Sequence, residues 1–369
     1  MTAGARRMRI AFDVGPLYGA RTGVGEAVAG MRAALADRDD VELDGYLVSR
    51  RSTPQPGHRK LPLPGIVAAH VWSRWDRPRA DRWMAGVDVV HGTNYVAPPT
   101  RRPTVVSVYD CWFLAHPDQA APLVQRAGQV LRRRVAEGAW IHTGSDAISA
   151  QARELLGTDR VATVRLGPPP EIPPLSELTR PSGAEPIEGR PFVLAVATQE
   201  RRKDLGLLVQ AFGELAARQS DTLLVLAGAA GDDSDSVQAA LGALAPAAAA
   251  RVIQLGFVDE AAKRWLLRSA AAVAYPSRDE GFGFPVLEGH SAGTPVVACR
   301  VGSLPDVGGD AVAFVDGRDP AALAGTIERV LTDTALRLEL IDAGHRNLAR
   351  FDWTHTAAGL VELYREARG

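Results

Sequence analysis

Cysteine is scarce: only Cys111 and Cys299 occur in 369 residues, far apart and without metal-ligand spacing. A disulfide framework is therefore not expected, and a reducing cytoplasm fits. No apolar run reaches the length of a membrane span. The start, Met1 to Arg9, is polar and leads straight into a strand, unlike a secretory signal. Charge of either sign is also lacking in excess. The net charge of −1 argues against nucleic acid as the main partner. No Walker-type phosphate loop is present. Gly23 and Gly25 follow the first strand, but a dinucleotide fingerprint needs a third glycine where Val28 stands, so a nicotinamide-type reading fails at its own motif.

What remains is an ordinary globular composition, 46% hydrophobic and 23% charged, in a chain long enough for about two domains. Its Ala, Arg and Gly content suggests a GC-rich bacterium. Short apolar runs alternate with helical patterns in both halves. Strands are expected at Arg9–Val14, Val41–Leu47, Val87–His91, Thr104–Val108, Trp140–Thr143 and Val161–Leu166, with a helix from Glu26 to Leu35. The second half repeats this at Phe192–Val196, Leu223–Ala227, Val252–Leu255, Ala271–Tyr275, Val296–Ala298 and Val312–Val315. Leu205, Leu208, Val209, Phe212 and Leu215 have helical spacing, with Asp204 at the helix start. This alternation predicts parallel α/β sheets. Gly167 to Pro191 holds eight prolines and reads as a linker. The expected division is an N-terminal domain 1–170, a linker 171–190, a C-terminal domain 191–351 and a tail helix 352–369. Ligands bind at strand carboxyl ends in such folds, so the interdomain cleft is the default site.

The most informative stretch is Asp279-Glu280-Gly281-Phe282-Gly283-Phe284-Pro285-Val286-Leu287-Glu288. A buried strand precedes it, and Gly281 and Gly283 allow a tight loop with close backbone approach. Pro285 suits a first helical turn. The helix start at Gly283, Phe284, Pro285 and Val286 thus offers free N–H groups to an anion. Glu280 lies in the loop and Glu288 about one turn into the helix. Two carboxylates beside an anion site suit a ligand with phosphate and hydroxyls. A Glu in a first turn also serves simply as a dipole partner; the strand–loop–helix context favours function.

Ser277 to Glu288, followed by Gly293-Thr294-Pro295-Val296-Val297-Ala298, resembles the signature of family-4 retaining glycosyltransferases. Gly289-His290-Ser291 stands where Ala-Met-Ala is common in them. The resemblance implies a GT-B architecture: two Rossmann-like parallel-sheet domains facing across a cleft, with the tail helix crossing back onto the N-terminal domain. It implies that Glu280 holds the hydroxyls of a donor sugar and Glu288 those of a ribose. Thr198 to Asp204 is similar to the segment that holds the donor diphosphate, with Arg202 and Lys203 on its Arg and Lys. Forked hydrogen bonds and a point charge suit a diphosphate. The loop with Gly23 and Gly25 matches one near the donor phosphates and acceptor, and Val258 a residue touching the nucleobase through its backbone.

One segment departs from the family. Val105 to Cys111 resembles a stretch with a His beside the reacting sugar, and here Tyr109 takes its place, followed by Asp110. Tyrosine is a poor base near neutral pH. In retaining transfer the departing phosphate can take the acceptor proton, so catalysis remains open, with Glu280, Tyr109 and Asp110 as the catalytic candidates. His91, Asn94 and Tyr95 are candidate acceptor contacts; His91 and His116 are alternatively ordinary loop residues. The Trp72–Trp83 stretch alternates Trp and Arg, as in a peripheral contact with an anionic membrane. Asp76 and Asp81 dilute that charge and favour a solvated face.

The expected activity is transfer of a hexose from a nucleotide-diphosphate sugar, UDP- or GDP-linked, to a saccharide, lipid-linked or small-molecule acceptor. Retention of configuration follows from the resemblance, and neither a metal nor another cofactor is expected. The expected location is the cytoplasm or the inner face of the membrane. The alternatives are a nucleotide-sugar-binding protein without transfer, and a GT-B sugar-nucleotide hydrolase or epimerase.

Overall fold

The computed structural model describes residues 6–18, 22–49 and 52–369. The chain divides into two compact units, Met1–Gly167 with Phe351–Gly369, and Pro168–Arg350. Each is a parallel sheet covered by helices.

The first sheet holds β1 (Met8–Asp13), β2 (Val41–Val48), β3 (Arg59–Leu61), β4 (Val89–Gly92), β5 (Thr104–Ser107), β6 (Trp140–Thr143) and β7 (Val161–Thr163). Their order is β3-β2-β1-β4-β5-β6-β7, all pairs parallel. Six match the expected runs within a few residues. β3 is the addition: three residues on the sheet edge, two of them basic, too short and polar to show a strand pattern. The expected helix after β1 runs over Gly23–Ala36.

The second sheet holds β8 (Phe192–Val196), β9 (Leu223–Ala227), β10 (Val252–Gly256), β11 (Ala272–Tyr275), β12 (Val296–Cys299) and β13 (Val312–Val315), in order β10-β9-β8-β11-β12-β13. Apart from the edge strand β10, with its exposed Gln254, its strands read as continuous apolar runs because both faces are covered. Val193, Ala195, Leu224, Leu226, Ala272 and Ala274 pack on one side with Leu208, Phe212 and Leu215 of the helix Leu205–Arg218. The alternate residues, Phe192, Leu194, Val225, Val273 and Ala298, pack on the other with Leu266, Leu267 and Val286. This is the two-residue period of a strand read on both faces.

The proline-rich segment forms only two single 3-10 turns, at Leu175–Glu177 and Glu185–Ile187. Ile172, Ala184 and Ile187 are nonetheless buried in the second unit's core. The tail helix, Trp353–Arg368, is N-capped by Asp352 and packs within the first unit against the helix Gly23–Ala36 and against β4 and β5. Trp353 lies where two glycines leave room. A Cβ at Gly30 would stand 2.2 Å from the Trp353 ring, and one at Gly167 2.3 Å from it.

These contacts predict opposite signs for two glycine substitutions. Gly30→Ala forces the Trp353 ring aside and should cost about 1–3 kcal/mol, the usual penalty of overpacking. Gly325→Ala, inside the helix Pro320–Thr332 with open space around its Cβ position, should gain about 0.5–1 kcal/mol. Chemical denaturation of both variants checks the pair.

Candidate functional site

In the second sheet the chain runs outward from β8 to β10 and returns on the other side with β11. The gap beyond the carboxyl ends of β8 and β11 is thus the topological switch point, where open α/β sheets bind ligands. Both sequence motifs end there.

After β8, a single 3-10 turn carries Arg201–Lys203, and Asp204 follows at φ 50° before the helix Leu205–Arg218. Asp204 occupies the N-cap position without capping. Its carboxylate instead accepts from Arg278 at 3.3 Å and Arg318 at 2.6 Å. After β11, the chain passes through Pro276 to Gly283 into the helix Phe284–Ser291. Gly283 has φ 88°, and a Cβ there would press within 2.8 Å of Leu304, so glycine is required. Pro285 lies in the first turn as expected.

Glu280 joins the two loops. It is 5% exposed. One carboxylate oxygen accepts from Lys203 Nζ at 2.5 Å and Ser277 Oγ at 2.7 Å; the other accepts from Arg202 Nη1 at 2.9 Å. Its carbonyl accepts from the Ser303 N–H and hydroxyl, both at 3.0 Å. Burial alone would raise its pKa. The charges of Lys203 and Arg202 and the hydrogen bonds from Lys203 and Ser277 overcome that and hold it at about 2. Glu280, Arg202 and Lys203, predicted separately, thus form one ionic cluster.

Glu288, on the helix, is not in that cluster. Lys263 Nζ donates to it at 2.7 Å and lies 2.9 Å from Glu260. Burial opposes the charge on Lys263, but the two glutamates raise its pKa. Lys263 escaped the sequence reading because its partner is 25 residues away on another helix. It lies on the helix Glu260–Ser269, which is capped by Asp259 directly after Val258. Beside Val258, Phe257 is 69% exposed.

A second missed residue is Tyr275, the last of β11. It is 3% exposed, and its hydroxyl has no hydrogen-bond partner among the described residues.

The first sheet has its own switch point, between β1 and β4. Asp13 ends β1 and accepts from the Gly15 N–H at 2.9 Å. Lost hydration pushes its carboxyl up to about 7, with the Gly15 bond opposing. The residue as a whole is half-buried. Thr93 bonds to the Asp13 carbonyl at 2.8 Å. Gly23 and Gly25 begin the helix Gly23–Ala36 behind the N-cap Thr22. The expected loop's Gly19, Ala20 and Arg21 lie outside the described residues.

Three expectations in this unit are corrected. Tyr109 is buried and donates its hydroxyl to the Thr93 carbonyl at 2.8 Å. Burial raises its pKa further, so it braces the segment after β4 and supplies no base. His91 is fully buried. Its Nδ1 meets Tyr364 at 2.7 Å and its Nε2 meets Ser107 at 2.8 Å, which leaves no ring nitrogen for an acceptor. Trp72 is a core residue and Trp83 half-buried, while Trp75 is 60% exposed, so the tryptophans share no face. Asp110 accepts from Tyr95 at 2.9 Å and from the Trp112 N–H at 3.1 Å. Asn94 is exposed, and Tyr95 is held at φ 59°. His116 packs against Trp112.

Among the described residues, no group of three or more His, Cys, Asp or Glu is gathered as metal ligands, and no helix is long and apolar enough to cross a membrane.

Two Rossmann-like parallel sheets define a GT-B fold, and solved structures bear this out. Sucrose-phosphate synthase from Thermosynechococcus elongatus superposes with a TM-score of 0.72 at 20% identity, covering 98% of this chain and 99% of that one. Anabaena HepE, solved in complex with UDP and glucose, gives 0.72 at 17% identity, covering 98% and 100%. Such identities establish the fold alone. Residues 180–347, within the second unit, match the family model described as glycosyl transferases group 1. A D-inositol 3-phosphate glycosyltransferase of Salinispora arenicola (strain CNS-205) is 46% identical over 104 residues, 28% of this chain and 23% of that protein. One of the same name from Acidothermus cellulolyticus is 43% identical over 102 residues, 27% and 22%. The match thus spans under a quarter of each relative's length.

The Glu280 cluster predicts a pH signature. Because its folded pKa lies below its unfolded one, the unfolded chain takes up the proton first as pH falls. The stability it contributes is therefore present above about pH 5 and lost toward about pH 2. Glu280→Gln should be destabilised by roughly 3–5 kcal/mol at neutral pH, the range for breaking a buried ion pair. Denaturation across that pH range should show the gap to the parent closing as pH falls. A gap of constant size would mean that charge is not what clasps the loops.

Proposed function

We propose that this chain transfers a hexosyl group from a nucleoside-diphosphate sugar to an acceptor hydroxyl with retention of configuration. The observation that carries the reading is the Arg202–Lys203–Glu280 cluster at a switch point, beside a helix start and a second carboxylate, Glu288. In this reading Arg202, Lys203 and the N–H groups after Gly283 face the diphosphate and stabilise the charge that develops as it departs. They fill the place a metal ion takes elsewhere, and no cofactor is assigned. Glu280 accepts from donor-sugar hydroxyls and Glu288 from the ribose. Phe257 offers an aromatic face beside the base position at Val258. The bond from the anomeric carbon to the diphosphate breaks, the bond to the acceptor oxygen forms on the same face, and the acceptor proton passes to the departing phosphate. That route asks for no basic side chain in the place of Tyr109. The acceptor is assigned to the carboxyl edge of the first sheet, near Asp13, Asn94, Tyr95 and Asp110.

The relatives are named for D-inositol 3-phosphate, and HepE was solved with UDP and glucose. A uridine donor with a cyclitol or sugar acceptor is accordingly the first pair to try. The buried, engaged hydroxyl of Tyr109 favours one second reading, a nucleotide-sugar-binding protein without transfer.

Thermal unfolding with a panel of nucleoside diphosphates and their sugars tests the donor site. Ligand at about a hundred times its dissociation constant adds roughly 2.7 kcal/mol. One base family should stabilise the parent and fail to stabilise the Arg202→Ala, Lys203→Ala double variant. Product analysis with the stabilising sugar nucleotide then separates transfer from binding alone.

A further inference from the structure

Tyr275 closes β11 at the switch point, one residue before Pro276 and two before Ser277, which bonds to Glu280. Its ring belongs to the apolar layer with Phe192, Leu194 and Ala298. A phenylalanine would meet that packing role equally well. The hydroxyl is what needs explanation, since it is buried and bonded to nothing among the described residues. Buried polar groups almost always find a partner, and leaving one unsatisfied costs free energy. The charged groups that act on the phenol are Glu288 first and Glu280 second. Burial, with these two carboxylates, keeps the phenol protonated, so it is a hydrogen-bond donor. Lys263, the cation beside Glu288, is already shared between Glu288 and Glu260.

A ligand hydroxyl resolves this arrangement. An ionised carboxylate only accepts, so it takes the hydroxyl's hydrogen and leaves the oxygen lone pairs available. A donor is then wanted on the other side of that oxygen. Tyr275 is such a donor, with Glu288 as its dominant charged neighbour. We propose that the Tyr275 hydroxyl is a ligand contact, donating a hydrogen bond to a ribose oxygen of a bound nucleoside diphosphate whose hydroxyl Glu288 accepts. This rests on the donor-site reading above and adds to it a residue that senses whether the pentose carries its hydroxyls.

Tyr275→Phe removes one atom and keeps the ring, so the variant should fold. The parent and the variant are titrated calorimetrically with UDP and GDP and with their 2′-deoxy and 3′-deoxy counterparts, and their ligand-free thermal midpoints are compared. For the base that binds, the variant should hold the ribonucleotide about five- to tenfold more weakly, the worth of one hydrogen bond. The parent should lose more than that factor with one of the deoxy ligands, because the Glu288 bond goes as well, and the variant's loss with the same ligand should be smaller than the parent's by about five- to tenfold. The variant's ligand-free midpoint should be unchanged or higher, because an unsatisfied hydroxyl has gone. Equal affinities in parent and variant would overturn the proposal, and a lowered midpoint beside them would identify the hydroxyl as a structural group. A loss that is the same for ribose and both deoxy ligands would place the contact on the diphosphate and overturn the ribose assignment. If the parent binds no nucleoside diphosphate, the donor-site reading falls and this proposal with it; binding without a Tyr275 effect sinks this proposal alone.

Discussion

The buried carboxylate of Glu280 organises the second unit's binding edge. Two loops leave neighbouring strands at the switch point, one carrying Arg202 and Lys203 and the other carrying Ser277 to Gly283. Neither loop has a sheet ladder to hold it, and Glu280 ties them together through bonds to both. Removing a charge from water is expensive, and a single ion pair seldom repays it. Here one carboxylate meets two cations and a hydroxyl, and its backbone carbonyl is held by Ser303 as well. Enough bonds converge to keep it ionised at 5% exposure. The same bonds draw together two like charges, Arg202 and Lys203, that would otherwise repel. On the proposed reading, a pair of cations held in place before the donor arrives is the preorganisation that electrostatic catalysis requires.

Glu280 and Glu288 look alike in the sequence and differ in their surroundings. Glu280 is clamped between loops, whereas Glu288 rides on a helix and shares Lys263 with Glu260. Two carboxylates on one edge would repel each other if bare. Arg202 and Lys203 beside Glu280, and Lys263 between Glu288 and Glu260, offset that repulsion. Lys263 therefore belongs to the site as much as the glutamate it accompanies.

How far the sequence could be read follows from which interactions are local. Strands buried on both faces show as apolar runs, so β8, β9 and β13 were legible to the residue. β3 was not, because Arg59 and Lys60 lie on a sheet edge where water tolerates their charge. The helix beginning after Gly283 was legible because Gly and Pro act within two residues of themselves. Partnerships over long sequence distance were invisible. His91 looked like a strand-end residue open to an acceptor, yet it is paired with Tyr364, 273 residues later, inside the first unit's core. Lys263 gave no signal for the same reason, and Tyr275 gave none because an aromatic residue at a strand end reads as core. The proline-rich stretch was read as a linker, but proline density says nothing about burial, and Ile172, Ala184 and Ile187 join the second unit's core.

Tyr109 shows how a departure from a family pattern is to be weighed. Its place in the segment after β5 invited a catalytic role, and its chemistry argued against one. In the fold its hydroxyl is spent on the Thr93 carbonyl, which in turn belongs to a residue bonded to the Asp13 carbonyl. Thr93 thus links the ends of β1 and β4 exactly where that sheet's switch point lies, and Tyr109 anchors Thr93 from β5. Nearby, Asp13 is half-buried, and lost hydration holds its carboxyl up to about 7. A carboxyl poised there accepts a hydrogen bond from an acceptor hydroxyl when ionised and donates one when protonated. A His-to-Tyr change beside it therefore removes one titratable group from the edge while leaving another in place. If the departing phosphate takes the acceptor's proton, the edge needs only to orient a hydroxyl, and a carboxylate held by a rigid tyrosine–threonine brace is suited to that task.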